Sequence, residues 1–132
     1  MSQAARRVPG GSPWEDSIGF SRAIAAGERV LTAGTTAFEG TLLHGEGDPY
    51  EQARAAFRHA LTAIAEFGLG AESVIRTRMY LAHVRDTDAV GRAHQELFAT
   101  IRPVATLVVV SGFVDPRILV EVEIEALRGE SS

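Results

Sequence analysis

The chain has 132 residues, a formal net charge of −4 at pH 7, 45% hydrophobic and 23% charged residues, and no cysteine. That balance suits one globular domain over residues 1–132 with a partly irregular segment over 1–17, and it offers no basic footprint for nucleic acid or an anionic membrane. Disulfides and thiolate metal sites are excluded, and with no apolar run resembling a signal peptide or able to span a bilayer the expected location is the cytoplasm.

In chain order, Ser21–Ala26 and Arg29–Thr35 read as a strand pair turned at Gly27-Glu28. Gly34 interrupts the second strand, and glycine inside a strand marks a bulge or a close approach of another backbone or a ligand. A Gly-rich loop follows, and then Asp48-Pro49-Tyr50-Glu51 reads as an N-cap, a proline at the first helical position and a capping-box glutamate. Ala53, Phe57, Ala60, Leu61, Ile64 and Phe67 recur at helical spacing until Gly68 stops the helix. Residues 73–84, SVIRTRMYLAHV, alternate as a strand, with Ile75, Thr77, Met79 and Leu81 on one face and Arg76, Arg78 and Tyr80 on the other. A second helix from Thr87 to Ala99 buries Val90, Ala93, Leu97 and Phe98. Past Pro103 come the strand ATLVVVS, the loop Phe113–Arg117 and a last strand in which Glu121, Glu123 and Glu125 alternate with Val120, Val122, Ile124 and Ala126.

Two helices on one face of a mixed or antiparallel sheet make an α+β sandwich. The helices cover Val120, Val122 and Ile124. The opposite face carries Glu121, Glu123, Arg76 and Arg78, together with Leu107–Val110, a run apolar on both sides. Such a strand is usually buried on both sides, so this face is expected to pack against other copies in a closed cyclic homo-oligomer. His44, His59, His83 and His94 show no metal-ligand spacing and are read as structural or surface residues, so neither a metal nor a cofactor is expected. No P-loop or G-x-S-x-G is present, and the Gly45-Glu-Gly47 and Gly68-Leu-Gly70 pairs read as turn punctuation.

Gly19-Phe20-Ser21-Arg22, RVLTAGTTA, RTRMYLAHV and the ending RP…T…V…GFVDPRILVEVEIEA resemble the YjgF/RidA family, the reactive-intermediate (enamine/imine) deaminases, over roughly residues 18–127. The resemblance implies a chorismate-mutase-like fold, a homotrimer, and small-metabolite pockets in the clefts between subunits. It carries the family's substrate-holding backbone glycine onto Gly34. The family's water-activating carboxylate falls on Glu121 if the VDPRILV loop has one extra residue, with Glu123 as the fallback. The pocket tyrosine aligns with Phe20. The arginine of the family's Pro-Ala-Arg-Ser motif, which clamps the substrate carboxylate, aligns with Ala105 of Pro103-Val104-Ala105-Thr106. A guanidinium fixes a carboxylate through two parallel charge-assisted hydrogen bonds, so alanine removes that handle. Arg22 or Arg102 is the available substitute cation, with strand parity against Arg102.

Two functions stay open. One is enamine/imine hydrolysis with Glu121 as general acid/base, in a cleft with Phe20, Gly34, Ala105 and Arg22 as substrate-binding positions. The other is a binder of a small metabolite that has lost deaminase activity. A ribonuclease role is the weakest reading, because no phosphate-binding stripe exists. Among the glutamates, Glu123 is assigned to Arg76 and Arg78, Glu121 to the cleft and Glu125 to solvent; the alternative is that Glu121 and Glu123 are both structural ion pairs.

Overall fold

A computed structural model describes residues 5–128; residues 1–4 of the N-terminal segment expected to be irregular and free of a signal peptide, and residues 129–132 at the end of the expected domain, lie outside the described residues. The strands are β1 (Arg6–Val8), β2 (Ala23–Ala26), β3 (Arg29–Thr32), β4 (Phe38–Glu39), β5 (Leu42–Leu43), β6 (Val74–Leu81), β7 (Val104–Val109) and β8 (Val120–Leu127). The helices are α1 (Pro49–Ala65) and α2 (Thr87–Phe98). Six strands form one sheet in the order β1-β2-β3-β8-β6-β7, while β4 and β5 pair separately as a short ribbon. Every neighbouring pair in the large sheet is antiparallel except β6 and β7, which run parallel because α2 crosses between them. This is the α+β sandwich the sequence predicts. β1 and the ribbon are additions to it, too short to display a hydrophobic period.

α1 starts as the sequence indicates, with the Asp48 carboxylate accepting the Glu51 N–H at 3.1 Å. The reciprocal half of the capping box is not made: the Asp48 N–H donates to the Gly45 carbonyl at 2.8 Å instead. Gly68, at φ +79°, ends the helical segment in a left-handed conformation that a side chain would strain. The apolar stripes of α1 and α2 bury Phe57, Ala60, Ile64, Val90, Ala93 and Phe98 against Met79, Leu81, Val120, Val122 and Ile124 of the sheet. Leu97 is only partly buried.

One strand assignment needs correcting. Ile75, expected on the core face with Thr77 and Met79, is exposed, and Val74 is buried in its place. A bulge between Val74 and Arg76 adds a residue to β6, which shifts the alternation by one at the start of the strand. β7 forms the outer strand of the sheet, with Val108 and Val109 at 42% and 48% exposure in the single chain. No helix among the described residues is long and apolar enough to cross a membrane.

Candidate functional site

The site begins at the end of β3. Leu31 faces Glu125 and Thr35 faces Val122 across β8, so this segment carries one more residue than its partner. That is a bulge, centred on Thr32–Gly34, and its side chains complete the ladder: the Thr32 hydroxyl accepts the Ile124 N–H at 3.0 Å. Thr35 and Val122 exchange both backbone bonds at 2.8 and 2.9 Å. Gly34 thereby lies against the Glu121 side chain. A Cβ built at position 34 would overlap the Glu121 carboxylate, so glycine here lets that carboxylate lie against the backbone, and a side chain would turn it aside.

Arg22 locks this arrangement. Its guanidinium donates to the Gly34 carbonyl at 2.5 Å, to the Thr35 hydroxyl at 3.3 Å and to Glu15 at 3.3 Å, and it stands 5.4 Å from the centroid of the Phe20 ring. Glu15 also accepts the N–H groups of Gly10 at 2.8 Å and Ser12 at 3.3 Å. Burial pushes the Glu15 carboxyl up, but those two N–H groups and the Arg22 charge together hold it below the usual carboxylate range.

The three last-strand glutamates have separate fates because β8 fixes what each one faces. Across β6, Arg76 lies opposite Glu125, Arg78 opposite Glu123 and Tyr80 opposite Glu121. Glu123 takes Arg78 at 3.4 Å and accepts the Tyr80 hydroxyl at 3.1 Å. Glu125, expected in solvent, is 9% exposed and is held by Arg29 and by Arg76 at 3.6 Å. The correction follows from topology: β8 lies between β3 and β6, so its end is flanked by cations from both neighbours. Glu121 has no ion-pair partner among the described residues. Burial foremost, and then the Glu123 charge, push its carboxyl up, against a smaller opposing pull from Arg22.

Glu121 lines a cavity of about 500 Å³ together with Phe20, Arg22 and Gly34, closed by Trp14, Val114 and Ile118, by the Phe38–Gly40 segment and by His59 and Thr62 of α1. A volume of this size suits a small metabolite. Of the residues singled out from the sequence, Phe20, Arg22, Gly34 and Glu121 come together. Glu123 does not line the cavity. Ala105 sits on β7 opposite Thr77, away from it within one chain. Arg102 is exposed and likewise outside the lining.

Sequence reasoning missed three features. Glu15, the anchor of Arg22, lies in the segment read as irregular, in a π-helical turn over Glu15–Gly19. Gln52 is fully buried; its amide donates to the carbonyls of Gly45 at 3.3 Å and Arg117 at 3.0 Å, and its oxygen accepts the Leu119 N–H at 2.9 Å. It ties α1 to the loop that carries Val114 and Ile118, and a polar residue one step from the buried Ala53 was the available signal. Third, Glu39, His44 and His59 converge with candidate ligand atoms all within 4.8 Å of one another, although their sequence spacing shows no metal pattern. His94, by contrast, pairs with the Thr77 hydroxyl at 2.8 Å between Phe57 and Phe98, in keeping with a structural role.

A helix-backed mixed sheet with the partly buried Glu121 carboxylate in a metabolite-sized cavity defines a small α+β protein of the pocket-bearing kind. Residues 14–128 match the family model described as Endoribonuclease L-PSP, and the chain belongs to this family, the YjgF/YER057c/UK114 proteins. The Streptomyces coelicolor protein SCO2049 is 69% identical over 128 residues, which span 97% of this chain and 96% of that protein. The crystal structure of Rv2704 from Mycobacterium tuberculosis, a member of the YjgF/YER057c/UK114 family, matches with a TM-score of 0.86 at 34% identity, covering 95% of this chain and 100% of that one. That of PA3499 from Pseudomonas aeruginosa matches with a TM-score of 0.82 at 31% identity, covering 94% of this chain and 92% of that one.

Proposed function

We propose that this protein hydrolyses a small enamine or imine in the Glu121 cavity, with the Glu121 carboxyl as general acid/base. The observation that carries the reading is the isolation of Glu121: two neighbouring glutamates are neutralised by arginines, while the third is partly buried, raised in pKa and turned to the cavity. A carboxyl raised toward the working pH can both take and return a proton. Water adds to the C=N carbon as Glu121 takes its proton. The same carboxyl returns that proton to the nitrogen to give a carbinolamine, then takes the hydroxyl proton and passes it to the nitrogen as the C–N bond breaks, so that ammonia leaves a carbonyl product. Gly34 lets the substrate approach backbone, Phe20 supplies an apolar wall, and Arg22 holds the bulge in place. Because Arg22 is already engaged by Glu15, the substrate expected to fit best carries no strong demand for a carboxylate clamp.

The assembly that fits this reading is a homotrimer in which β7 of one subunit, with Ala105, closes the cavity of the next. The cytoplasm remains the proposed location. RNA cleavage is opposed by the charge of −4 and by a lining in which Glu39, Glu66 and Glu121 outnumber Arg22.

Imino acids generated in situ from alanine by an amino-acid oxidase, with semicarbazide trapping the surviving imine, test the proposal. Accelerated loss of the imine is expected. Since a bidentate charged contact contributes roughly 1.5–3 kcal/mol, the rate should fall at least about tenfold below that of a relative bearing the arginine. The absence of Arg at position 105 favours a second reading, a metabolite binder; thermal stabilisation by a substrate analogue with no turnover would select it.

A further inference from the structure

We infer that Glu39, His44 and His59 form a binding site for one divalent transition-metal ion, of the nitrogen- and oxygen-preferring kind represented by Zn²⁺, on the wall of the cavity. The fold brings the three together from separate places. Glu39 ends β4, His44 directly follows β5 in the same ribbon, and His59 projects from α1. His44 Nε2–H donates to a Glu39 carboxylate oxygen at 2.8 Å, a proton that a bound cation would replace, and the two imidazole centroids are 5.9 Å apart. Tetrahedral Zn²⁺ with bonds of about 2.0–2.2 Å separates neighbouring ligand atoms by roughly 3.3–3.5 Å. The ligand atoms of the three residues all lie within 4.8 Å of one another, and Glu39, whose side chain is 70% exposed, is free to turn toward such an ion.

The second observation concerns His59. Its Nδ1 lies 3.1 Å from the Thr36 carbonyl oxygen. A carbonyl can only accept, so Nδ1 carries the proton and Nε2 is left bare as the ligand atom. Metal-ligating histidines are oriented by this kind of hydrogen bond from the other ring nitrogen. Two imidazoles and one carboxylate select Zn²⁺ and its first-row neighbours over Mg²⁺ or Ca²⁺. Three protein ligands also leave a coordination position for water, the arrangement of reactive rather than purely structural zinc sites. Glu39 and His59 line the cavity, so the ion would face the same space as Glu121. Arg58, whose charge reaches both Glu39 and His59, limits the affinity. The inference is independent of the hydrolytic proposal.

Calorimetric titration of the untagged full chain with ZnCl₂ tests it, with Co²⁺ as a spectroscopic stand-in. One Zn²⁺ per chain at micromolar affinity is expected, with visible Co²⁺ bands of four- or five-coordinate intensity. His44→Ala and His59→Ala should each weaken Zn²⁺ binding at least about tenfold, since even the loss of an outer-shell partner costs 10–100-fold. His83→Ala, at an exposed histidine away from the cluster, should leave binding unchanged. If His59→Ala does not fold, Glu39→Gln and His44→Ala carry the test from exposed or half-exposed positions. No binding up to millimolar Zn²⁺, or equal weakening by His83→Ala, would overturn the assignment.

Discussion

Glu121 faces Tyr80 across the ladder while Glu123 and Glu125 face arginines, and that register decides which of three similar side chains stays without a counter-charge. The consequence is readable in stability. The folded pKa of Glu121 is raised, so between the ordinary carboxylate value and the raised one the folded state binds more protons than the unfolded state. Stability contributed by this group is therefore present at low pH and lost as pH rises through that window. Glu121→Gln is expected to remove that slope and to leave the melting temperature at neutral pH equal to or above wild type; a melting curve series against pH checks both. At Gly34 the expectation concerns the site rather than the fold: Gly34→Ala turns the flexible Glu121 carboxylate aside and should lower activity while changing stability little, measurable by the imine assay beside urea denaturation. The sequence displayed the three glutamates and two candidate arginine partners, and it marked Gly34 as unusual. It did not display Arg29 beside Glu125, because a strand's alternation says which face a residue takes but not which strand lies next to it.

At the scale of elements, both helices and the main strands were legible because each carries a complete hydrophobic period over several turns or pleats. What escaped were insertions of a single residue: the bulge that buries Val74 and exposes Ile75 changes nothing in composition. Gln52 was equally hidden, since its role depends on a loop 65 and 67 residues away in sequence. Gln52→Leu keeps the volume but strands the Leu119 N–H and the Arg117 carbonyl, while the Gly45 carbonyl keeps the Asp48 N–H. It should cost roughly 2–6 kcal/mol, at about 1–3 kcal/mol for each of the two groups left unpaired, and a fall in melting temperature checks it. Between the paired glutamates, Glu125→Gln should destabilise more than Glu123→Gln. Glu125 is buried and holds two arginines, whereas Glu123 sits in a half-exposed pair of the kind contributing about 0–1 kcal/mol.

For the whole molecule, the outer edge of the sheet is the feature that a single chain leaves unexplained. Val104, Val108 and Val109 of β7 are exposed together, beside an open face lined by Arg76, Arg78 and Glu123. The apolar run at Leu107–Val110 signals a need for cover in the sequence, but no single sequence states the symmetry that supplies it. In the proposed trimer that cover comes from the neighbouring subunit. Light scattering coupled to size exclusion should give three times the 14.1 kDa chain mass, and Val108→Asp should dissociate it. A stable monomer at micromolar concentration would remove the subunit-closed cavity. The central claim, that the Glu121 carboxyl performs acid/base chemistry, is tested most directly by the rate of imine hydrolysis in wild type and Glu121→Gln at matched oligomeric state. The expected result is a loss of about 100-fold or more in a variant that remains folded and assembled. Glu121→Gln hydrolysing the imine as fast as wild type would contradict it.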